Sequence, residues 1–357
     1  MRRPTMKDIA RRAGVSESAV SFALNDRPGV SEATRERVRG VAEELGWRPS
    51  TAARALSGEG AATVGLVLAR PAGTLGVESF FLRLVSGIQE VLSIRHLGLL
   101  FQIAEDVGDE CAVYRRWWAE RRVDGLIVVD PRRDDPRPAL LDSLGLPAVV
   151  VGGLEGDVAG SAPQHCLVSN LWADDAGAMA SIVEHLYVLG HRRIVHIAGL
   201  ADLSHTRRRI ASLTLEAERR GLAQVLSVTT DYSDTEGARA TRRVLARDAP
   251  PTAIVYDNDV MAVAGAAVAA ERGLSIPGDL SVVAWDDSQL CRLTHPQLTS
   301  LARDTAEFGR HAAEELLALL DGQPARRVRD VLPRLVPRES SGPAPKFPRE
   351  SSGPAPK

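Results

Sequence analysis

The sequence predicts an α/β protein: a body of two parallel-sheet lobes preceded by a small all-α head. Three observations carry this. Residues 6–45 hold three short amphipathic helical patterns broken at glycines. From residue 63 short apolar strands alternate with longer helical stretches, and that rhythm breaks near Asn170 and restarts. The chain has 357 residues, far more than the head needs, so a large body can bury its own core.

In the first helical stretch Ile9, Ala10 and Ala13 fall at i, i+1 and i+4, and Gly14 interrupts the pattern where the chain must swing round. Val15 then fills the corner. Ser16 can cap a second helix, because its hydroxyl accepts a free backbone N–H, and Val20 and Leu24 repeat at i, i+4 toward a core. Glu17, Ser18, Ser21 and Phe22 are left facing outward. Ser31 opens a third helix in which Val38, Val41, Ala42 and Leu45 have helical spacing, and Gly46 ends it. Three helices with an exposed second one form the helix-turn-helix plan, which sends that helix into the DNA major groove.

Charge agrees. Residues 1–60 contain 11 Lys and Arg against 8 Asp and Glu, a net of +3, while the whole chain carries −2 and the remainder therefore −5. A basic head on a slightly acidic body suits a chain that meets phosphates at one end only. Arg2, Arg3, Lys7, Arg11, Arg12 and Arg27 are the cations nearest the exposed helix.

In the body, TVGLVLA, LGLLFQIA, DGLIVVD and PAVVVGG read as strands separated by helices. After the break the helix ADDAGAMASIVEHLYVLG is followed by the strand RRIVHIAG, and TAIVYDND and LSVVAWDD read as further strands among helices. Continuous apolar strands between helices indicate parallel sheets covered on both faces. The two blocks, about 61–170 and 171–300, imply two lobes with a cleft between them. Ligands of such sheets sit beyond the carboxyl ends of the strands, where Asp130, Asp257, Asn258, Asp286 and Asp287 fall. Carboxylates and an amide in a cleft can serve several hydroxyls at once, as a sugar-like ligand requires. Capping the following helices is the alternative role for Asp257, Asp259 and Asp287.

Three cysteines, Cys111, Cys166 and Cys291, lie far apart and suggest reduced thiols in a cytoplasmic protein, with no disulfide frame or metal site. No apolar run approaches the ~20 residues that cross a bilayer, and no signal-peptide core opens the chain, so no membrane partner is expected. Neither a nucleophile elbow, nor an H-E-x-x-H helix, nor a phosphate-cradling loop occurs. No catalytic residue or cofactor is therefore expected, and a binding protein is favoured over an enzyme. PRESSGPAPK at 337–346 recurs identically at 348–357, and its Pro, Ser and Gly content predicts a disordered tail.

Several separate pieces resemble the lactose-repressor, or galactose-repressor, family of bacterial transcription regulators. KDIARRAGVS followed by VSFALN is similar to its helix-turn-helix, RPSTAARALSG to its hinge, and IVYDNDVMAVA and PGDLSVVAWDD to its effector-domain signatures. The resemblance spans 6–338 and implies a dimeric repressor whose body is similar to type I periplasmic binding proteins. Operator DNA and a small-molecule, sugar-like effector are the implied partners, the effector acting as inducer or as corepressor. The implied divisions are a head at 1–48, a hinge at 49–62, a body at 63–338 and a tail at 339–357.

Carried over residue by residue, Ser16, Ser18, Ser21 and Asn25 fall on recognition-helix positions, with Glu17 and Phe22 where bases are read. Many members have Arg at the position of Phe22; a phenyl ring can instead pack on a thymine methyl, and Glu17 can accept from a cytosine amino group. Arg54 lies in the hinge run, and Leu56 matches a residue wedged between base pairs in the minor groove. A run this short folds poorly alone, which suits a segment that folds on DNA and melts off it. In the cleft, Asn258, Asp286 and Arg207 match ligand-contacting positions, Arg207 through a serine-x-x-arginine pattern from Ser204. The usual Gly-Phe beyond that Arg is replaced here by Ile210 and Ala211. Phe80, Phe81, Trp172 and Trp285 are candidate stacking surfaces, and Phe80, Asp130, Arg207, Asn258, Trp285 and Asp286 make up the expected effector site. His191 and His196 are expected to be structural.

Overall fold

The computed structural model describes residues 4–47, 60–70, 79–154 and 166–346. It divides into two compact units, a head ending at Ala61 and a body from Ala62. Arg54 and Leu56 lie outside the described residues, as do Arg2, Arg3 and the second copy of the duplicated tail.

The head consists of α1 (Met6–Ala13), α2 (Glu17–Leu24) and α3 (Glu32–Glu44). Its termini are held as the residue types demand. The Asp8 carboxylate accepts the Thr5 N–H at 2.9 Å, and Gly14 closes α1 at φ 68°, a left-handed backbone that favours glycine. Ser16 and Ser31 cap α2 and α3, their hydroxyls accepting from the N–H of Ala19 at 3.2 Å and Thr34 at 3.3 Å. Ile9, Ala10, Ala13, Val20, Ala23, Val38 and Ala42 form the core, while Val15, Leu24, Val41 and Leu45 pack at its edge.

The body's first sheet has the order β11-β5-β4-β3-β1-β2 and the second β12-β10-β9-β8-β6-β7. The first comprises β1 (Thr63–Ala69), β2 (Gly98–Ala104), β3 (Gly125–Val128), β4 (Ala148–Val151), β5 (Val168–Trp172) and β11 (Arg327–Arg329). The second comprises β6 (Arg193–Ala198), β7 (Gln224–Thr229), β8 (Ala253–Tyr256), β9 (Ser281–Ala284), β10 (Thr299–Ala302) and β12 (Arg334–Val336). All pairs are parallel except β10 with β12. Central strands such as β3, β4, β8 and β9 are buried throughout, the expected result of helices on both faces.

Two expectations are corrected. The division at about 170 and 300 misses that the chain returns to the first lobe. The helix Thr305–Leu320 packs on the helix Ser79–Ile94, with Phe308, Ala312 and Leu316 in the first lobe's core, and β11 joins the first sheet beside β5. Gly87 and Gly309 allow that crossing, since a side chain at either would run into the backbone of the opposite helix. Strands β5, β7, β10, β11 and β12 were also unread: β7 is an edge strand mostly half-buried, β11 and β12 are three residues each, and Ser, Asn and Thr interrupt the apolar runs of β5 and β10.

The first copy of the repeat, expected as disordered tail, is built into the second lobe. Ser340 is fully buried, its hydroxyl donating to the Val282 carbonyl and accepting the Thr299 N–H at 2.6 and 2.8 Å. Buried His191 bridges Thr252 Oγ1 at 2.9 Å and the Gly342 carbonyl at 3.0 Å. Composition predicted disorder because the segment has no apolar core of its own; it is ordered by hydrogen bonds to a core made elsewhere. His191 is structural, as expected.

Candidate functional site

On α2 and its two caps, Ser16, Glu17, Ser18, Phe22 and Asn25 are exposed and Ser21 half-exposed, so the face expected to read DNA is open to solvent among the described residues. Glu17, Ser18, Ser21, Phe22 and Asn25 sit at i, i+1, i+4, i+5 and i+8, one side of a helix. Ser16 has its hydroxyl engaged as the cap, and Asn25 donates weakly to Ser21 at 3.4 Å. Phe22 is 37% exposed, one ring edge resting against Gly29. Of the expected cations, Arg11 pairs with Asp8 at 2.7 Å and Arg12 with Glu44 at 3.1 Å.

A cavity lies between the two lobes of the body. Phe80, Asp130, Asn258 and Asp286 line it, as expected. Arg207 and Trp285 do not. Within the helix Ser204–Arg220 the arginine that lines the cavity is Arg209, two positions further along. Trp285 is 3% exposed and lies under it, the Arg209 guanidinium 3.7 Å from the ring centroid. Asn258 forms wall and cap together: its carbonyl oxygen accepts the Met261 N–H at 2.8 Å, and its amide donates to the Tyr232 carbonyl at 3.0 Å.

Sequence reading missed Arg70, Asp175, His205, Tyr232, Arg303 and Phe308. Arg70 directly follows β1, so the strand-end criterion could have found it. Tyr232 follows the unread β7, and Phe308 lies on the returning helix. On one wall Arg70 binds Asp130 at 2.6 Å while its guanidinium stacks between Phe81 and Tyr232, 5.0 and 4.8 Å from the ring centroids. On another, Arg209 binds Asp175 at 3.1 Å and Asp257 at 3.0 Å. Asp257 is held further by His196 at 2.9 Å and the Gly199 N–H at 2.8 Å, which makes His196 structural too. Tyr232 hydrogen-bonds His205 at 2.8 Å. Arg303 stacks near Phe80 and Phe308, 5.1 and 4.9 Å from their centroids, and makes no ion pair among the described residues.

These contacts set the charges. Burial opposes ionisation of Asp130, Asp175 and Asp257, but neighbouring arginines outweigh it and hold all three carboxyls below their ordinary range. Burial pushes His205 down to about 4, so it is neutral at pH 7. Asp286 goes the other way: burial, with Asp259 and Asp257 nearby, raises it to about 6 against the pull of Arg303 and Arg209. The wall thus offers fixed donors and acceptors between aromatic rings, the lining of a site for a polar, polyhydroxylated molecule. Among the described residues no cluster of His, Cys, Asp or Glu could hold a metal, and no helix is long and apolar enough to cross a membrane.

Two sheets of this topology facing a cleft, preceded in the chain by a helix-turn-helix head, define a DNA-binding regulator with a periplasmic-binding-like body. Residues 5–50 match the profile of bacterial regulatory proteins of the lacI family, and 183–341 that of a periplasmic binding protein-like domain. The HTH-type transcriptional regulator CelR of Thermobifida fusca is 33% identical over 95% of this chain and 98% of its own length. The HTH-type transcriptional repressor PurR of Aliivibrio fischeri is 29% identical, covering 94% and 98%. Among solved structures, a CelR–cellobiose complex aligns with TM-score 0.71 at 30% identity, covering 95% of this chain and all of that one. The lac repressor dimer bound to operator and the anti-inducer ONPF aligns with TM-score 0.79 at 25% identity, covering 96% and 100%. The chain belongs to the lacI family of bacterial transcription regulators.

Proposed function

We propose that this regulator is a cytoplasmic homodimeric repressor that acts by binding, without turnover, and that a neutral sugar in the interlobe cavity controls its grip on operator DNA. Glu17, Ser18, Ser21, Phe22 and Asn25 face the bases, and Arg54 and Leu56 serve the hinge. Phe80, Asp130 and Asp286 meet the effector together with Arg209, Tyr232 and Arg303. The observation that carries the ligand class is the charge of the cavity. Asp130, Asp175, Asp257 and Asp286 face Arg70, Arg209 and Arg303, which leaves no surplus positive charge for an anion. The CelR–cellobiose complex supports a sugar. If the lobe arrangements hold paired heads differently, effector and operator affinities are coupled by about 1–3 kcal/mol.

The test is a gel-shift titration of the full chain on an operator recovered by genome-wide mapping, with cellobiose, glucose, galactose and glucose 6-phosphate. A neutral sugar is expected to change operator affinity several-fold, its sign distinguishing inducer from corepressor. A response confined to the phosphorylated sugar would overturn the ligand class.

A further inference from the structure

Asp130 has the left-handed backbone, φ 52°, that an L side chain disfavours. It stands just past β3, and it carries the carboxylate that binds Arg70 in the cavity wall. What holds it is a buried ion cluster behind the cavity. Arg137 is 1% exposed and begins the helix Arg137–Leu144. Its Nη1 donates to both Glu110 carboxylate oxygens and to the Val129 carbonyl, each at 2.9 Å. Its Nη2 donates to the Asp130 carbonyl at 2.9 Å and to Asp135 at 2.7 Å. Asp135 in turn accepts the Arg132 N–H at 3.1 Å, and Tyr114 donates to Glu110.

We propose that Arg137 is a positioning residue for the effector cavity, holding Asp130 in its turned backbone and so placing the Arg70–Asp130 pair. The proposal rests on the reading of that cavity as the effector site. Successive carbonyls of an extended strand point in opposite directions. One guanidinium can therefore take the carbonyls of Val129 and Asp130 together only if the chain turns between them, which is the conformation Asp130 has. Packing alone does not require this cluster, because apolar side chains of equal volume commonly fill such a space without the cost of burying charge. They cannot capture two consecutive carbonyls. Lysine keeps the charge but not the fork of donors.

The test is Arg137→Lys in the full chain, read by amide hydrogen exchange and by cellobiose titration of the operator complex. Exchange over 130–135 is expected to rise at least tenfold, with the amides of β1 and β6 changing less than twofold. The cellobiose concentration for half response should rise at least tenfold at unchanged sugar-free operator affinity. In an Asp130→Ala background, Arg137→Lys should raise it no further. Unchanged exchange over 130–135, exchange rising equally across the first lobe, or an additive effect in the Asp130→Ala background would overturn the proposal. If Arg137→Lys does not fold, Glu110→Gln, which loosens the same guanidinium isosterically, should raise loop exchange at least threefold, and no rise refutes it. A native protein indifferent to cellobiose would count against that sugar as effector, and the exchange measurements would still decide the role of Arg137.

Discussion

Replacing Asp286 by asparagine should stabilise the body at neutral pH and flatten its pH dependence. In the folded protein burial, aided by Asp259 and Asp257, lifts the Asp286 carboxyl from its ordinary 3.8 to about 6. A group whose folded value is raised lends stability at pH below its unfolded value, and that contribution disappears as pH climbs through the folded value. Between pH 4 and 6 the native protein therefore weakens on this account, by up to about 3 kcal/mol at ~1.4 kcal/mol per tenfold. Asparagine keeps the shape and never ionises. It also removes a carboxylate that attracts Arg303, so the net gain at pH 8 should be smaller, about 1–2 kcal/mol, or roughly 2–6 °C in melting temperature. Calorimetry of native and Asp286→Asn chains at pH 4.5, 6, 7 and 8 at constant ionic strength is the assay. The difference should be smallest at pH 4.5 and grow through pH 6. A variant that melts no higher than the native protein at pH 8 would refute the assignment of a strained carboxylate to the cavity.

Three further outcomes follow from the packing. Gly199→Ala would place a methyl group inside the Tyr232 ring, so the ring should leave His205 and Arg70 at a cost of about 1–3 kcal/mol, and a sugar response with native midpoint would contradict this. Ending the chain after Val336 strips the partners of His191, Thr299 and Val282 and should cost more than about 3 kcal/mol; a chain so shortened that melts with the native protein would argue against the anchor. Ile9→Ala opens a cavity in a core of seven buried residues, a loss of about 2–4 kcal/mol that a head this small cannot absorb, so operator binding should fail while the body's calorimetric transition stays in place.

The head was almost fully legible from sequence, because each of its determinants is local. Ser16 and Ser31 supply caps within three residues, Gly14 supplies its own turn, and the apolar spacing of Ile9, Val20 and Val38 states which faces meet. The parallel sheets were legible for the same reason: buried strands need apolar residues on both faces, and strand ends mark where Asp130, Asn258 and Asp286 must lie. Arg207 was chosen over Arg209 because a motif counts positions and does not see helix rotation; two residues turn a side chain about 200° around the axis.

What the sequence by itself determined is thus the class of most elements, the order of head and body, and the strand ends that line the interlobe cavity, since these follow from periodicity and caps over a few residues. Only the tertiary structure decided that the helix bearing Phe308 returns to the first lobe, that Ser340 and Gly342 seal the second, and that Arg70, Tyr232 and Arg137 shape the cavity. Those contacts join residues tens to more than a hundred positions apart, and their strength comes from burial and charge pairing, which exist only once the chain has closed around them.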